Sequence, residues 1–326
     1  MVIRECKFQD NNTFARLWNY AYPENRITLT SILTADLSRG SEEICKRWAA
    51  ECNGGVIGVI EIAHWSTYIR PDNYLLHVIV SPENQGKGIG KQLFDYANRE
   101  LEQLQPKIVR AFVREDRTSG INLLASNGFN RDKLRWNFWL DTADLNLEPF
   151  SDTEDALEES GIEVKCFSEF RNDTNYLEHL YELYKAALRD INSPDMPKQM
   201  LMSEFCETIA QNEDVAGNSM LAKFEDIYIG MWVMAPKPAS TILGNMMIVD
   251  RIAYRKAKQL QTRKLARKGR SLAFGLAYHG LKNARDKGFN RILFWTDEFN
   301  HTIVGIGEML GFKRWPAQLI YKKEFK

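Results

Sequence analysis

One spacing decides what this chain of 326 residues can fold into. Placing Gly86 on Gly269 shifts the sequence by 183 positions (269 − 86), and the same shift puts Gly128-Phe129 on Gly311-Phe312. Without a gap, Gln85-Gly86-Lys87-Gly88-Ile89-Gly90 then faces Lys268-Gly269-Arg270-Ser271-Leu272-Ala273. Each half reads glycine turn, long helix, strand, short helix, Gly-Phe. One Gly-Phe coincidence is easy, but the whole order is what duplication of a domain produces. The length agrees, being about twice that of an ordinary domain.

Local patterns fill in each half. Cys45 to Cys52 and Val56 to Trp65 read as strands, and the intervening Asn53-Gly54-Gly55 is a hairpin signal. Tyr74 to Val80 is a dense apolar strand that Ser81-Pro82 ends, since proline cannot donate to a ladder. A helix is predicted from about Gly88 to Leu104 and a strand over Ile108 to Val113. A short helix over Ser119 to Ser126 is stopped by Asn127-Gly128, and Leu134 to Leu140 is a closing strand. The acidic stretch Asp141 to Ser160, with Pro149, reads as the linker. The expected domains are therefore 1–148 and 149–326. Ile162 to Phe167 is a fresh first strand, and Leu260 to Leu265 is expected as the strand before the second turn.

Composition narrows the function. Apolar residues make up 44% and charged residues 26%, as in a globular protein with a sizeable core. Zero net charge lends no support to nucleic-acid or membrane-surface binding. No apolar run is long enough to span a bilayer. The five cysteines are scattered, with no CxxC pair, so neither a structural zinc site nor any other metal site is expected. Scattered thiols point to a reducing, cytoplasmic setting.

The chemistry lies in Gln85 to Gly90, between the strand ending at Val80 and the helix beginning with Lys91-Gln92-Leu93. Backbone N–H groups at a helix N-terminus attract anions, and glycines let a phosphate approach closely. The spacing G-x-G-x-G is not the G-x-G-x-x-G of dinucleotide enzymes, and no Gly-Lys-Ser/Thr P-loop is present.

This segment resembles the GNAT superfamily of N-acetyltransferases, whose signature is Gln/Arg-x-x-Gly-x-Gly/Ala after a strand. Gln85 to Gly90 fits it, the lead-in Val80-Ser81-Pro82-Glu83-Asn84 fits it, and Gly128-Phe129 matches a second landmark. The resemblance implies an α+β fold in two tandem copies, each a mixed, mostly antiparallel sheet with helices on both faces. It implies acetyl-CoA as co-substrate. Val78, Ile79 and Val80 would pair with the pantetheine arm. Gln85, Gly86, Lys87, Gly88, Ile89 and Gly90 would wrap the pyrophosphate, and Lys87 and Lys91 would reach the nucleotide phosphates. In the second half it implies Lys268, Gly269, Arg270 and Ser271 at the equivalent turn, with Asn300 at the family's CoA asparagine. The basic cluster Arg263, Lys264, Arg267, Lys268 and Arg270 reads either as phosphate contacts or as a solvated charged face.

Acetyl transfer to an amine needs a base for the amine, a donor for the oxyanion and a proton for the departing thiolate. Family members often use a tyrosine as the acid, four residues before the Gly-Phe glycine. Leu124 and Gly307 stand there and cannot donate. Glu61 and His77 are the candidate catalytic residues, with His64 a further base, and the N–H of Ile79 is the candidate oxyanion donor by family analogy. The expected function is acetyl-CoA-dependent transfer to a primary amine of a small molecule or peptide, without nucleic acid or membrane. The expected assembly is a monomer with pseudo-dimeric domains or a homodimer. The rival reading is a non-catalytic acyl-CoA-binding sensor or scaffold, motivated by the missing tyrosine.

Overall fold

A computed structural model describes residues 1–64, 72–190, 199–237, 239–249 and 271–325. The chain divides into two units, Met1–Arg135 with Pro316–Lys326, and Trp136–Trp315. The division differs from the expected boundary at 148/149. Asp141 to Ser160 is no linker: Leu145 and Leu147 are buried in the second unit's core. The last residues return to the first unit.

In the first unit the strands are β1 (Val2–Glu5), β2 (Cys45–Cys52), β3 (Gly55–His64), β4 (Asn73–Val80) and β5 (Ile108–Arg114). Strand β6 (Asn130–Asp141) contributes its residues 130–135, and the C-terminal strand β13 (Gln318–Glu324) lies between β5 and β6. Helices α1 (Asn11–Ala21) and α2 (Leu29–Leu37) cover one face. There Phe14, Leu17, Tyr22 and Ile32 pack on Val59 and Ile79. Helix α3 (Ile89–Leu104) covers the other, burying Leu93, Phe94, Ala97 and Leu101. Its Leu93 approaches β3 so closely that a Cβ at Gly58 would stand 2.8 Å from it. Helix α4 (Thr118–Ser126) follows β5.

The second unit repeats this order. It has α5 (Thr153–Glu158), β7 (Ile162–Cys166), α6 (Tyr176–Asp190), β8 (Met220–Phe224), β9 (Ile227–Lys237) and β10 (Thr241–Val249). Helix α7 (Leu272–Asp286), β11 (Arg291–Asp297), α8 (His301–Met309) and β12 (Lys313–Arg314) complete it. The sheet order is β6-β11-β10-β9-β8-β7, with β12 on β6. One face packs on α7 through Trp232, Met234, Phe274 and Leu281. The other packs on α6 through Met231, Val233, Leu180 and Tyr184.

The duplication is visible element by element. Shifting β5, α4 and the start of α3 by 183 positions lands on β11, α8 and the start of α7. Gly128 and Gly311 both take a left-handed φ, +79° and +83°, after the short helix. The amides of Phe129 and Phe312 bond back to Leu124 and Gly307 at 3.1 and 2.9 Å. The strand that pairs with β11 is 241–249; the expected strand at 260–265 lies outside the described residues.

Because β13 supplies a central strand of the first unit, its core depends on the chain's last residues. Ile320 is fully buried there. Ile320→Ala is expected to lower the stability of the first unit by about 2–5 kcal/mol, leaving the second unit's transition in place. Denaturant unfolding followed by probes in each unit measures it.

Candidate active site

The first unit's central strands part company. Strands β4 and β5 pair in parallel only from Asn73↔Ile108 to Leu76↔Ala111. Beyond that point β4 is bonded only to β3, up to Gly58↔Val80, while β5 is bonded to β13 up to Gln318↔Arg114. A wedge-shaped gap opens between His77–Val80 and Phe112–Arg114.

Parity shows which backbone groups enter the gap. The Ser81 N–H bonds the Ile57 carbonyl at 2.9 Å, in register with Val59↔Ile79 and Glu61↔His77. In an antiparallel pair the residues alternate between bonding the partner and facing away. Ile79 therefore directs its N–H and C=O at β3, and its side chain is buried under α1. That corrects the expectation for Ile79, both as pantetheine partner and as oxyanion donor. Val78 and Val80 direct theirs into the gap.

At the gap's open end lies the glycine loop. Gly86 and Gly88 take φ of +74° and +76°, and a Cβ at either would meet no protein atom. Gly88 is the N-cap of α3 and provides no side-chain cap. The first capped turn begins with the Gln92 N–H on the Gly88 carbonyl, 3.2 Å, so the N–H groups of Ile89, Gly90 and Lys91 face outward. Gln85 folds back, its Nε2 donating to the Val80 carbonyl at 3.0 Å. Lys87 bonds Asn84 Oδ1 at 3.2 Å, and Lys91 pairs with Asp95 at 2.9 Å, both exposed. These groups put outward-facing amides, of the kind that attract anions, at the end of a slot lined by backbone polar groups.

The expected catalytic residues lie on the α1/α2 face. Glu61 and His77 are cross-strand partners. Glu61 is engaged: its Oε2 accepts from Arg47 Nε at 2.6 Å and from the Cys45 thiol at 3.7 Å. Arg47 in turn bonds both oxygens of Asp36 on α2, at 2.7 and 3.0 Å. His77 is 4% exposed, and burial lowers its pKa to about 4. It is therefore neutral near pH 7 and a weak base. His64 accepts the Ile44 N–H on Nδ1 at 3.0 Å, a structural bond.

Sequence reasoning missed two residues on the connection between α1 and α2. Tyr22 places its hydroxyl 3.1 Å from both the Phe112 carbonyl and His77 Nδ1. Glu24 stands beside Arg114, 3.3 Å from Oε2, on the rim of the gap. Its side chain is 6% exposed, and its Oε1 accepts no hydrogen bond among the described residues. Burial, the largest effect, pushes its carboxyl up against the pull of Arg114. Nothing in the spacing of Tyr22-Pro23-Glu24 marks them, because the fold alone carries this connection over the gap.

In the second unit β10 and β11 part in the same way, after Thr241↔Arg291 to Gly244↔Phe294. The turn differs. Ser271, expected to contact CoA, takes φ −115° and caps α7, its Oγ accepting the Phe274 N–H at 3.1 Å. Asn300, also expected to contact CoA, caps α8 through the Ile303 N–H at 3.4 Å. Lys268, Gly269 and Arg270, with the rest of the basic cluster, lie outside the described residues. Around this second gap Trp232, Gly244, Phe294, Trp295, Ile306 and Gly307 line a small apolar cavity.

A sheet parted at its centre beside the N-terminus of a long helix, present twice, is the arrangement that a tandem acyltransferase fold requires. Residues 44–131 match the acetyltransferase (GNAT) domain family. A GCN5-related N-acetyltransferase from Sphaerobacter thermophilus superposes with a TM-score of 0.71 at 14% identity, covering 99% of this chain and 95% of that one. A tandem GNAT protein from the clavulanic acid biosynthesis pathway gives 0.67 at 13% identity, covering 99% and 98%. A glucosamine N-acetyltransferase region within a fungal multi-domain β-N-acetylglucosaminidase gives 0.68 at 12%, covering 98% of this chain and 38% of that one. No match was found among curated proteins by sequence. Residues 44–131 thus match the GNAT acetyltransferase domain family, and the whole chain shares its fold with tandem GNAT structures. No helix among the described residues is long and apolar enough to cross a membrane.

The Ser271 cap has a measurable consequence. Ser271→Ala leaves the Phe274 amide without its partner and is expected to cost the second unit about 0.5–2 kcal/mol. Thermal melting that resolves the two units reads this as a lower second transition.

Proposed function

We propose that the first unit binds acetyl-CoA along the gap between β4 and β5 and passes its acetyl group directly to a primary amine. The observation that carries this reading is the coincidence of two features. The gap offers inward-facing backbone groups of Val78 and Val80, and uncapped α3 amides stand at its mouth. A linear amide-bearing arm ending in a pyrophosphate uses both. The pyrophosphate sits on Gly86 to Lys91, and the far end of the arm lies near the apex, beside His77 and Phe112.

The chain's own groups then supply the chemistry. The N–H of Val78 is directed into the gap, where an oxyanion forms, and it replaces Ile79 as donor. The Glu24 carboxylate pairs with Arg114 at a longer 3.3 Å and has Oε1 unbonded among the described residues; it attracts the acceptor's ammonium and takes its proton, a role that Glu61, held by Arg47 at 2.6 Å and by the Cys45 thiol, and the weakly basic His77 fill less well. Glu61 anchors α2 through Arg47 and Asp36 instead. In the second unit the self-capped α7 leaves its first turn poorer in donors for a pyrophosphate. One site per chain is the expected stoichiometry.

Two experiments test the reading. Calorimetric titration with acetyl-CoA is expected to show one site, lost in Gly88→Val. There a Cβ at φ +76° is strained and intrudes on the phosphate's approach. Unchanged affinity in Gly88→Val would rule out this loop. Thiol release in the presence of a panel of primary amines tests transfer, and binding without release points to the sensor reading. With an amine that reacts, Glu24→Gln is expected to lower kcat about a hundredfold and to raise the KM for the amine, whose ammonium loses its counter-charge. Because its pKa is raised, Glu24 loses its proton, and activity rises, at a pH above the roughly 4.3 of a free glutamate. That acidic limb of the kcat profile should vanish in Glu24→Gln.

A further inference from the structure

How readily Glu24 accepts a proton depends on the one cation beside it. Arg114, at the end of β5, donates from Nη1 to Glu24 Oε2 at 3.3 Å. A guanidinium carries five N–H donors in a rigid fork. Arg114 turns the better part of that fork elsewhere: its Nε and Nη2 donate in parallel to Asp116 Oδ1 and Oδ2, at 3.0 and 2.8 Å. Two parallel bonds make the strong form of an arginine–carboxylate pair, whereas a single bond of 3.3 Å is long for oppositely charged partners. The strong partner is local. Asp116 follows Arg114 by two residues, and the Arg117 N–H on the Arg114 carbonyl, 3.0 Å, closes the turn between β5 and α4.

An arginine facing a carboxylate alone holds it ionised and makes it a poor proton acceptor. Here Asp116 offsets that cation, so the three side chains together carry one net negative charge, which suits an arriving ammonium. Burial, the largest influence, pushes the Glu24 carboxyl up; its own backbone N–H and Arg114 pull it down, and Asp116 pushes it up again. Asp116 itself is held low, first by its bonds to Arg114, and so stays charged. The remaining groups on this side are accounted for. Arg117, before α4, lies 3.8 Å from Asp116 and stacks over Tyr20 of α1 at 4.9 Å. Arg135 on β6 stands over the Phe112 ring at 5.9 Å, and Gln318 of β13, opposite Arg114, is uncharged. On β4 His77 is neutral, Glu61 on β3 is paired with Arg47 on β2, and burial keeps the Tyr22 phenol protonated. Glu61, Arg47 and Asp36 have the same composition and the opposite balance, because there the glutamate is the closer partner at 2.6 Å.

We propose that Asp116 is a positioning residue for the base of the first unit: by taking two donors of Arg114, it leaves Glu24 one long bond and keeps that carboxylate able to accept a proton. The proposal rests on Glu24 being the base. Asp116 touches neither substrate. It acts through Arg114, which it holds side-on at the end of β5, and the long bond in turn engages only Oε2 of Glu24. Oε1 is left for the amine, having no hydrogen bond among the described residues. Without Asp116 the fork is released to Glu24, and the base becomes an ordinary ion pair.

Carbon-13 NMR of labelled glutamate carboxyls reads Glu24 directly in the free protein, its signal being the one missing in Glu24→Gln. Asp116→Asn should move the titration midpoint about one pH unit lower, because Arg114 then turns to Glu24 alone. Asp116→Glu restores the carboxylate and should recover most of that shift, while Arg114→Gln should move the midpoint the other way. With an amine that reacts, the acidic limb of the kcat profile should follow the midpoint, and the plateau of Asp116→Asn should fall severalfold, since a weaker base is slower. A midpoint that stays or rises in Asp116→Asn would overturn the proposal and leave Glu24 as the base. A midpoint that moves while the kcat limb stays would unseat Glu24 itself, and the proposal with it. Should Asp116→Asn not fold, Arg114→Gln decides: a midpoint that fails to rise would count against the proposal.

Discussion

The first unit's site exists because β4 and β5 stop pairing after Leu76↔Ala111. Parting two strands in mid-sheet is costly, since a buried backbone group left unbonded costs on the order of 1–3 kcal/mol. The structure meets that cost from the outside first. Strand β3 pairs with β4 from Tyr74 to Val80, and β13 pairs with β5 from Ile108 to Arg114, so both strands are held beyond the point where they part. What remains faces inward. Tyr22 satisfies the Phe112 carbonyl, and Gln85 satisfies that of Val80. The other inward groups of Val78 and Val80 line a slot whose polar character comes from the backbone and is therefore largely independent of side-chain identity.

The second unit shows that the same backbone can be put to a different use. Its central strands part at the equivalent place, and its helix starts at the equivalent residue. Yet Ser271 stands where Gly88 stands. A serine at an N-cap accepts, on its hydroxyl oxygen, the very N–H that an incoming phosphate would use, so capping and anion binding compete for one hydrogen. The space near the second apex is also filled differently. Trp232 packs under Gly244 so tightly that a Cβ there has no room, and the Phe294 ring, stacked on Phe138 at 4.5 Å, occupies the room left by Gly307. Aromatic packing and a self-capped helix stabilise a domain at the expense of its slot.

What the sequence revealed follows from what is local. A glycine turn before a helix is written in adjacent residues, and so is a duplication at constant spacing; both are borne out. Ladder parity is not written there. Val78, Ile79 and Val80 look equivalent along the chain, and only the Ser81 N–H on the Ile57 carbonyl shows that the middle one faces away from the gap. The strand that closes the first unit lies at the far end of the chain, and no pattern between Pro149 and Ser160 announces that. Tyr22 and Glu24 were invisible for the same reason. A tyrosine and a glutamate around a proline between two helices are ordinary, and their meaning comes from Phe112 and Arg114, some ninety residues on.

Glu61 shows how a residue can matter to such a site without touching its chemistry. Across one face of the sheet Arg47 and Glu61 are direct cross-strand partners, and so are Glu61 and His77. Glu61 holds Arg47, and Arg47 holds Asp36, so the row reaches up from the sheet to α2. A buried ion pair adds little net stability, but breaking one costs about 3–5 kcal/mol because the remaining charge is stranded. The row therefore acts as a registration device. It fixes where α2 sits on the sheet, and α2 fixes where the connection from α1 must run. That connection carries Tyr22 to the apex of the gap and Glu24 to its rim, so the polar residues conspicuous in the sequence serve to position the inconspicuous ones.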